Sequence, residues 1–322
     1  MHKLLIIGAG QLGSRHLQGA LLSTGRLNIT VVDPSLEALS IAEDRSRQIE
    51  WGNKDSQICY KTVLPELQYF DVCIIATAAN VRADVTKTLL VTQKNLVNHI
   101  IFEKVLFQRI DDYSTIQSLL KDLKIKSWVN CPRRIFPTYQ ELRSFLDLNM
   151  PIHMTVTGNS WGMACNSIHF IDLFTFLIGN TALQVGCIEL DAGLIESKRA
   201  GNYEITGSIE LTAGNHSLKI VCGQELDCCL EVKVENGNSI HLINEIDKSW
   251  LCNKGSDSER RAYTPLLQSQ LTGSVVADLI TSDQCQLTPL TESCAIHIPF
   301  INVVLDHISK QLGIQLDACL IT

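Results

Sequence analysis

Two short stretches of the sequence carry side chains that could transfer protons. In the segment SWGMACNSIHFIDLFTFLIG, residues 160–179, His169 is followed three positions later by Asp172. The apolar run LVNHIIFEK ends in Glu103 and Lys104. An imidazole titrates near pH ~6.5, and a lysine amine or a carboxylate can also hold a proton at a reacting oxygen. These residues predict acid–base chemistry wherever the fold brings a substrate to them.

The elements that position Glu103 and Lys104 are predicted by alternation in the first half of the chain. Short apolar runs at residues 4–8, 28–33, 71–77, 96–104 and 126–130 predict strands, with a weaker one near 57–60. Segments of helical spacing lie between them, at 11–22, 35–48, 80–93 and 111–124. Such alternation indicates βαβ units and a parallel sheet. Lys104 would then lie at the carboxyl end of a strand, where open α/β sheets bind ligands.

The turn after the first predicted strand reads GAGQLG, with glycines at positions 8, 10 and 13. Gly8 permits a tight turn, Gly10 lets the backbone approach a pyrophosphate, and Gly13 lets the helix and strand pack closely. The helix that begins at Gln11 and Leu12 offers unpaired N–H groups and a dipole that favour an anion. Because the motif follows a strand and opens a helix, it predicts a dinucleotide-binding site.

Asp33 ends the second predicted strand, twenty positions after Gly13. A carboxylate there can accept hydrogen bonds from the adenine ribose hydroxyls and would repel a 2′-phosphate. The residues that follow, Pro34 and Ser35, include no arginine to bind such a phosphate. The sequence therefore predicts NAD as the cofactor, with NADP less favoured.

A different architecture is predicted after residue 130. A helix at 137–148, a strand at 151–158 and a helix at 168–178 precede strands at 202–213, 216–223, 228–235 and 239–245, and two helices close the chain at 266–280 and 291–312. Consecutive strands joined by turn signals indicate antiparallel pairing. The predicted fold class is α/β, with a Rossmann dinucleotide-binding domain at 1–128 and an α+β domain with a mostly antiparallel open sheet at 129–322.

Composition restricts the class of protein. The chain has 322 residues, 45% of them hydrophobic, and a net charge of −7 without a basic block, so a nucleic-acid partner is not expected. The sequence contains neither a signal peptide nor a long apolar run, which predicts a cytoplasmic protein without membrane contact. Its twelve cysteines are spaced irregularly, which favours reduced thiols over a metal or disulfide framework.

Five segments resemble motifs of the Gfo/Idh/MocA family, the family of glucose-fructose oxidoreductase and inositol dehydrogenase. GAGQLGSRH resembles its glycine-rich start with a following histidine, here His16. IIATAANVRADV resembles its strand that ends in Ala-Thr, and FEKVL resembles its Glu-Lys-Pro motif. VNCPRRIFPTY resembles the segment that enters its second domain, and IHFIDLFTFLIG resembles its His-x-x-Asp helix.

The resemblance implies an NAD-dependent oxidoreductase. Such an enzyme transfers a hydride between nicotinamide and a sugar, a polyol or a nucleotide-activated sugar, the last by analogy with a branch linked to surface polysaccharides. Lys104 and His169 would transfer protons, Thr77 would lie near the nicotinamide ribose, and Glu103 would join the cofactor site. His16 would support the glycine-rich loop. A homodimer or homotetramer is expected, because an exposed sheet face usually needs a partner.

The segment at 160–179 leaves several interpretations open. Cys165 stands where many family members carry an aspartate, and a thiol, mostly neutral at pH 7, cannot replace a carboxylate. Cys165 and Asn166 are nevertheless candidates for substrate contact, as is Arg134, which could reach a phosphate or be ion-paired instead. Asp172 could bind a substrate hydroxyl, orient His169 or serve the structure alone.

A second departure concerns function as a whole. Val105 replaces the proline of Glu-Lys-Pro, so the backbone after Lys104 lacks the usual constraint. Together with Cys165, this leaves a catalytically silent NAD- or sugar-binding regulator as the alternative to an enzyme. An enzyme that holds NAD tightly and consumes none is a third possibility.

Overall fold

The computed structural model describes residues 1–50, 55–224 and 229–322. The chain divides into two compact units. The first unit comprises Met1–Phe107, Asp111–Asn130 and Leu266–Leu290. The second comprises Gln108–Ile110, Cys131–Pro265 and Thr291–Thr322.

Strands and helices are numbered here in chain order. The strands of the described residues are β1 His2–Ile7, β2 Leu27–Val32, β3 Gln57–Lys61, β4 Tyr69–Ile75, β5 Leu96–Glu103, β6 Lys126–Asn130, β7 Ile152–Asn159, β8 Gln184–Leu190, β9 Ile195–Glu196, β10 Tyr203–Glu204, β11 Gly207–Ala213, β12 His216–Gly223, β13 Glu231–Asn236, β14 Ser239–Asn244, β15 Ser249–Lys254, β16 Asp257–Ala262 and β17 Thr288–Pro289. The α-helices are α1 Gln11–Leu21, α2 Leu36–Arg47, α3 Ala79–Lys87, α4 Ile110–Asp122, α5 Pro137–Phe145, α6 Met163–Ile178, α7 Gln268–Ser282 and α8 Leu290–Leu312.

The first unit is built on a sheet whose described strands have the order β17-β6-β5-β4-β1-β2-β3. Every pair from β6 to β3 is parallel, and only the short β17 runs antiparallel to β6. The central strands are apolar on both faces, as in Leu4 to Ile7 of β1 and Val72 to Ile75 of β4, all at most 4% exposed. Strands of this kind must be covered by helices on both sides, and the predicted Rossmann architecture is confirmed.

The segment Leu266–Leu290 belongs to the first unit, which differs from the predicted division into residues 1–128 and 129–322. Helix α7 packs against α1 at a glycine contact: a Cβ added to Gly273 would lie 2.6 Å from the carbonyl oxygen of Gly19. Strand β17 extends the sheet beyond β6. The pairing of α1 with α7 joins residues more than 240 positions apart, and helical periodicity carries no sign of such a partner.

The second unit contains a sheet whose described strands have the order β16-β15-β14-β13-β7-β12-β11-β8. Its strands pair antiparallel except β7 and β12, which run parallel, so the predicted mostly antiparallel sheet is confirmed. One face of β7 is apolar, with Ile152, Met154 and Val156 buried. Helix α6 packs against β7 and β12.

Three expectations about this unit need correction. The strand predicted at 202–213 is divided into β10 and β11 by Ile205 and Thr206, and β11 begins at Gly207, whose φ is +116°. The strand predicted at 228–235 is observed as β13, Glu231–Asn236, and residue 228 of the predicted range lies outside the described residues. The hairpin of β15 and β16 was missed, because the charged run from Asp257 to Arg261 resembles a loop.

Helix α6 begins at Met163, five residues before its predicted start at 168. Both of its ends are glycines in the left-handed region, Gly162 with φ +77° and Gly179 with φ +68°. Because of this earlier start, Cys165 and Asn166 lie within the first turns of the helix. None of the helices in the described part of the chain has the length and apolarity needed to cross a bilayer.

Candidate functional site

The glycine-rich turn between β1 and α1 depends on two of its glycines for packing. Gly8 has φ +97°, and a Cβ there would lie 2.9 Å from the carbonyl carbon of Ala76. A Cβ on Gly13 would lie only 1.7 Å from the carbonyl oxygen of Gly8. Any larger residue would therefore push α1 away from the sheet, which agrees with the roles predicted for both positions.

Gly10 differs, since nothing in the described residues lies within 4 Å of the position that its Cβ would take. It is also the N-cap of α1, and no side chain caps the helix there. The exposed Gln11 in the first turn is held by Arg45, whose Nη2 donates to its Oε1 at 2.8 Å, and Leu12 beside it is half-buried. An open, uncapped helix start suits the pyrophosphate of a dinucleotide.

Asp33 lies at the end of β2, beside the same turn. Its Oδ2 accepts from the N–H of Ala9 at 2.7 Å, and its Oδ1 accepts from the N–H of Ser35 at 2.9 Å. These two bonds fix the orientation of the carboxylate. Since each carboxylate oxygen has a second lone pair, Asp33 can still accept from ribose hydroxyls.

Thr77 follows β4 at the carboxyl edge of the sheet. Its Oγ1 is buried and has no hydrogen-bond partner among the described residues. A buried hydroxyl without a partner is costly, and a ligand hydroxyl or amide would remove that cost. The open start of α1, the carboxylate of Asp33 and this hydroxyl together fit a nicotinamide dinucleotide. In the described ranges, no cluster of His, Cys, Asp or Glu could hold a metal ion.

Glu103, which was predicted to join the cofactor site, is 2% exposed and belongs to a buried hydrogen-bond network. Its Oε1 accepts from Nδ2 of Asn130 at 2.6 Å and pairs with Nε2 of His16 at 2.8 Å. Burial by itself raises the pKa of the Glu103 carboxyl, but the hydrogen bonds and charge of His16 and Asn130, with the charge of Arg82, outweigh burial and lower it. Glu103 thus anchors the end of β5 to α1, through His16, and to β6, through Asn130.

Lys104 follows directly after β5 and is half-buried. The peptide bond between Lys104 and Val105 is cis. The carbonyl oxygens of Val105 and Leu106 both accept from Nη1 of Arg82, the latter at 2.8 Å. The structure therefore places Lys104 where strand position predicted it, at the carboxyl edge of the parallel sheet.

In the second unit, Cys165, Asn166 and His169 lie in the first two turns of α6 and are half-buried. Cys165 and His169 are four residues apart and share one face of the helix. The thiol of Cys165 contacts the carbonyl oxygen of Gly162 at 3.5 Å, and Nδ2 of Asn166 donates to the carbonyl oxygen of Trp161 at 2.9 Å. Both side chains therefore contact backbone carbonyl oxygens just before the helix.

Asp172 and Arg134, both candidates for substrate contact, contact each other. Nε and Nη2 of Arg134 donate to the two carboxylate oxygens of Asp172 at 2.8 and 3.0 Å. The side chain of Asp172 is fully buried, and that of Arg134 is 10% exposed. Such a bidentate pair ties α6 to the turn at Pro132–Ile135. This arrangement favours the structural alternative for Asp172 and the ion-paired alternative for Arg134.

Three polar residues of these regions were not found by sequence reasoning. Glu245 accepts from Nε and Nη2 of Arg133 at 2.8 and 2.7 Å. Glu204 of β10 accepts at Oε2 from the N–H of Ala164, at the start of α6, at 2.8 Å. Arg82 of α3 is only 2% exposed. No spacing pattern in the sequence marks any of the three as a functional residue.

No protein-family model matches the chain, and no curated protein matches it. Solved structures do share its fold. An oxidoreductase from Agrobacterium radiobacter in complex with NAD+, L-tartaric acid and magnesium is 14% identical, with a TM-score of 0.72 over 96% of each chain. A UDP-N-acetylglucosamine 3-dehydrogenase from Acidithiobacillus ferrooxidans is 12% identical, with a TM-score of 0.67 over 98% of each chain.

A third solved structure of this fold is named for the family that the sequence motifs resemble. A Gfo/Idh/MocA family oxidoreductase from Vibrio cholerae is 13% identical, with a TM-score of 0.69 over 97% of this chain and 100% of that one. Identities this low are evidence of a shared fold and not of a shared substrate. In its fold, the chain is therefore a two-unit protein of the kind found in Gfo/Idh/MocA oxidoreductases, as the resemblance of its motifs implied.

Proposed function

We propose that the protein is an NAD-dependent oxidoreductase acting on a CH–OH group of a sugar, a polyol or a nucleotide-activated sugar. The observation that carries the proposal is the set of open polar groups in the first unit. Gly10 has free space at the start of α1, Asp33 presents a fixed carboxylate, and Oγ1 of Thr77 is buried without a partner among the described residues. A dinucleotide supplies the phosphate and hydroxyl groups that these positions lack.

Nicotinamide, when bound, supplies the chemistry of hydride transfer. The protein must then take up the proton of the substrate hydroxyl and hold the reacting oxygen in place. We assign this role to the amine of Lys104. This residue directly follows the end of β5, which Glu103 anchors. His169 is proposed as a second proton-transfer group, with Cys165 and Asn166 as neutral contacts to a polyhydroxylated substrate.

The names of two solved structures of the same fold support this substrate class. One of them binds NAD+ together with L-tartaric acid, a small hydroxy acid, and the other is a dehydrogenase of a UDP-activated sugar. Titration of the protein with NADH and NADPH, followed by nicotinamide fluorescence, tests the cofactor. Asp33 should repel the 2′-phosphate, so NADH should bind more tightly. Equal or tighter binding of NADPH would contradict this assignment.

The role of Lys104 is tested with a panel of sugars, polyols and nucleotide sugars, followed at 340 nm. Once a substrate is found, Lys104→Ala should abolish turnover while NADH affinity changes little. Lys121→Ala, at an exposed position of α4, serves as the matched control and should behave as wild type. Full activity of Lys104→Ala would refute the proposed mechanism. His169→Asn should lower turnover as well, and unchanged activity there would assign His169 to structure.

The alternative function, a catalytically silent regulator, draws support from Cys165, a cysteine on the face of α6 that carries His169, at the place where many family members carry an aspartate. It predicts that ligands of the panel change the protein's fluorescence or stability while the absorbance of NAD at 340 nm stays constant. Redox change with any member of the panel decides for the enzyme.

We also propose that the protein forms a homodimer or homotetramer. Strand β8 is an edge strand whose residues from Gln184 to Glu189 are all exposed, including the apolar Val185 and Ile188. Exposed apolar edges are normally covered. Light scattering on the purified protein checks this, and a monomer at micromolar concentration would contradict it.

A further inference from the structure

We propose that Arg82 is a positioning residue that holds the segments of Thr77 and Lys104 in a fixed relation at the carboxyl edge of the first unit's sheet. The inference rests on the proposed function, because it concerns the two residues assigned to nicotinamide and to proton transfer. Arg82 itself would contact neither cofactor nor substrate. It acts through the backbone on both sides of it.

The guanidinium of Arg82 bridges two strand ends. Nη2 donates to the carbonyl oxygen of Thr77, the second residue after β4. Nη1 donates to the carbonyl oxygens of Val105 and Leu106, which directly follow Lys104. One planar group thus joins the backbone after β4 to the backbone after β5. Of the candidate functional residues, Thr77 accepts one of these bonds itself, and Lys104 directly precedes the other two acceptors.

Burial makes these bonds strong. Arg82 is 2% exposed and lies one turn into α3, facing the interior. Inside a protein, hydrogen bonds from a charged donor are stronger than neutral ones, and water does not compete for them. The guanidinium has several donors in a rigid fork, so it can hold carbonyls of two segments at once, which a lysine amine does less well.

The bridge also supplies a constraint that the sequence itself lacks. The segment after Lys104 contains Val105, where a proline would limit the backbone. Arg82 binds the carbonyl of Val105 and that of the next residue, so it limits the same stretch by hydrogen bonds. The side chains of Val105 and Leu106 are fully buried, which fixes the segment from its other side.

The experiment compares Arg82→Lys and Arg82→Gln with Lys87→Met. Lys87 lies on the same helix and makes surface ion pairs with Asp84 and Asp112, at 3.6 and 3.3 Å, so its loss perturbs α3 without touching either strand end. Two quantities are measured at matched stability: NADH affinity by fluorescence, and the acylation rate of Lys104 by acetic anhydride, relative to the exposed Lys121, by mass spectrometry.

We expect Arg82→Lys to weaken NADH binding by about tenfold and to change the relative acylation rate of Lys104 severalfold, since small displacements of reacting groups have large effects on rate. Lys87→Met should change neither. A purely structural role would lower the unfolding temperature and leave both readouts of the folded fraction unchanged. That result, with NADH binding intact in wild type, overturns the inference and leaves the proposed function standing.

Failure of wild type to bind NADH would instead refute the proposed function. If neither Arg82 variant folds, amide hydrogen exchange on the unmodified chain decides. NADH should slow exchange in residues 76–82 and 104–108 together, because the bridge couples the two segments. Slowing confined to 76–82 would overturn the inference.

Discussion

The N-termini of helices α1 and α6, each beside candidate functional residues, differ in how their backbone N–H groups are paired. At α1, no side chain caps the helix, and the space around Gly10 is open in the described residues. At α6, the carboxylate of Glu204 accepts from the N–H of Ala164 at 2.8 Å. Both helices begin at a glycine, so the difference lies in what surrounds that glycine.

The two helix starts differ in whether a side chain of the protein itself pairs with their N–H groups. A helix N-terminus carries a partial positive charge and unpaired donors, which either a bound anion or a side-chain carboxylate can compensate. Under the proposed function, the glycine-rich turn of the first unit leaves this to the cofactor. In the second unit Glu204 supplies a carboxylate to the start of α6. Further along α6, the guanidinium of Arg134 pairs with the carboxylate of Asp172. Substitutions at these positions test the contrast.

The largest effect on stability is expected from Asp172→Ala. Removing this carboxylate leaves the charge of Arg134 buried without its partner, which costs about 3–5 kcal/mol of unfolding free energy. Urea unfolding measures it, with Glu210→Ala as the control, because the pair of Glu210 with Lys219 at 2.9 Å is exposed to solvent and should contribute little to stability. NADH affinity of the folded variant should match wild type. A stability loss as small as the control's would return Asp172 to the list of substrate ligands.

The next effect concerns Glu103, a satisfied group in the unit that also holds the open ones. Burial by itself raises the pKa of the Glu103 carboxyl. The hydrogen bonds from His16 and Asn130 and the charges of His16 and Arg82 outweigh burial, so the folded pKa lies below the unfolded one. The ionised carboxylate therefore stabilises the fold fully above the unfolded pKa of about 4.3, and this stability is lost as pH falls through the folded pKa.

Glu103→Gln should remove about 1.5–3 kcal/mol near neutral pH, the range for hydrogen bonds to a charged group. Its stability should then fall less steeply than that of wild type as the pH drops below the unfolded pKa of about 4.3. Equilibrium unfolding at several pH values checks this. Parallel pH profiles for the two proteins would mean that Glu103 is not the ionised anchor of β5.

A smaller effect, on binding alone, is expected from Gly10→Ala. A Cβ there meets no described atom within 4 Å, so the unfolding temperature should stay within a degree or two of wild type. The methyl group enters the space proposed for the pyrophosphate, so NADH affinity should fall by about tenfold or more. Calorimetric unfolding and fluorescence titration measure both. Undiminished affinity would show that the open space at α1 serves no ligand.

The parts of this contrast that local sequence determines were predictable. The glycines at 8, 10 and 13 and the carboxylate of Asp33 act through their own backbone and nearest strand, so a short motif describes them fully. The alternation of apolar runs also predicted the parallel sheet, because strands buried on both faces have little choice of composition.

The satisfied groups could not be predicted, because their partners are distant in sequence. Arg134 and Asp172 were each candidates for substrate contact, with ion-paired and structural roles left open, and only their mutual contact across 38 positions reveals the pair. The early start of α6 has the same origin. Helical periodicity begins near Ile168, whereas the observed start depends on Gly162 and on Glu204, which lies forty positions beyond Ala164.

The smallest effect is expected at Glu204, and it is the sharpest test of the contrast between the two helix starts. Glu204→Ala removes the acceptor for the N–H of Ala164 and should cost about 1 kcal/mol, the usual value of a helix cap. Glu204→Gln keeps an acceptor oxygen and loses only the charge, so it should cost a few tenths of that, within the range of helix-dipole effects. Chemical unfolding of both variants measures the difference. If Glu204→Gln keeps wild-type stability yet loses turnover on the substrate found in the panel, the carboxylate serves a ligand, and the start of α6 is open to chemistry as the start of α1 is to the cofactor.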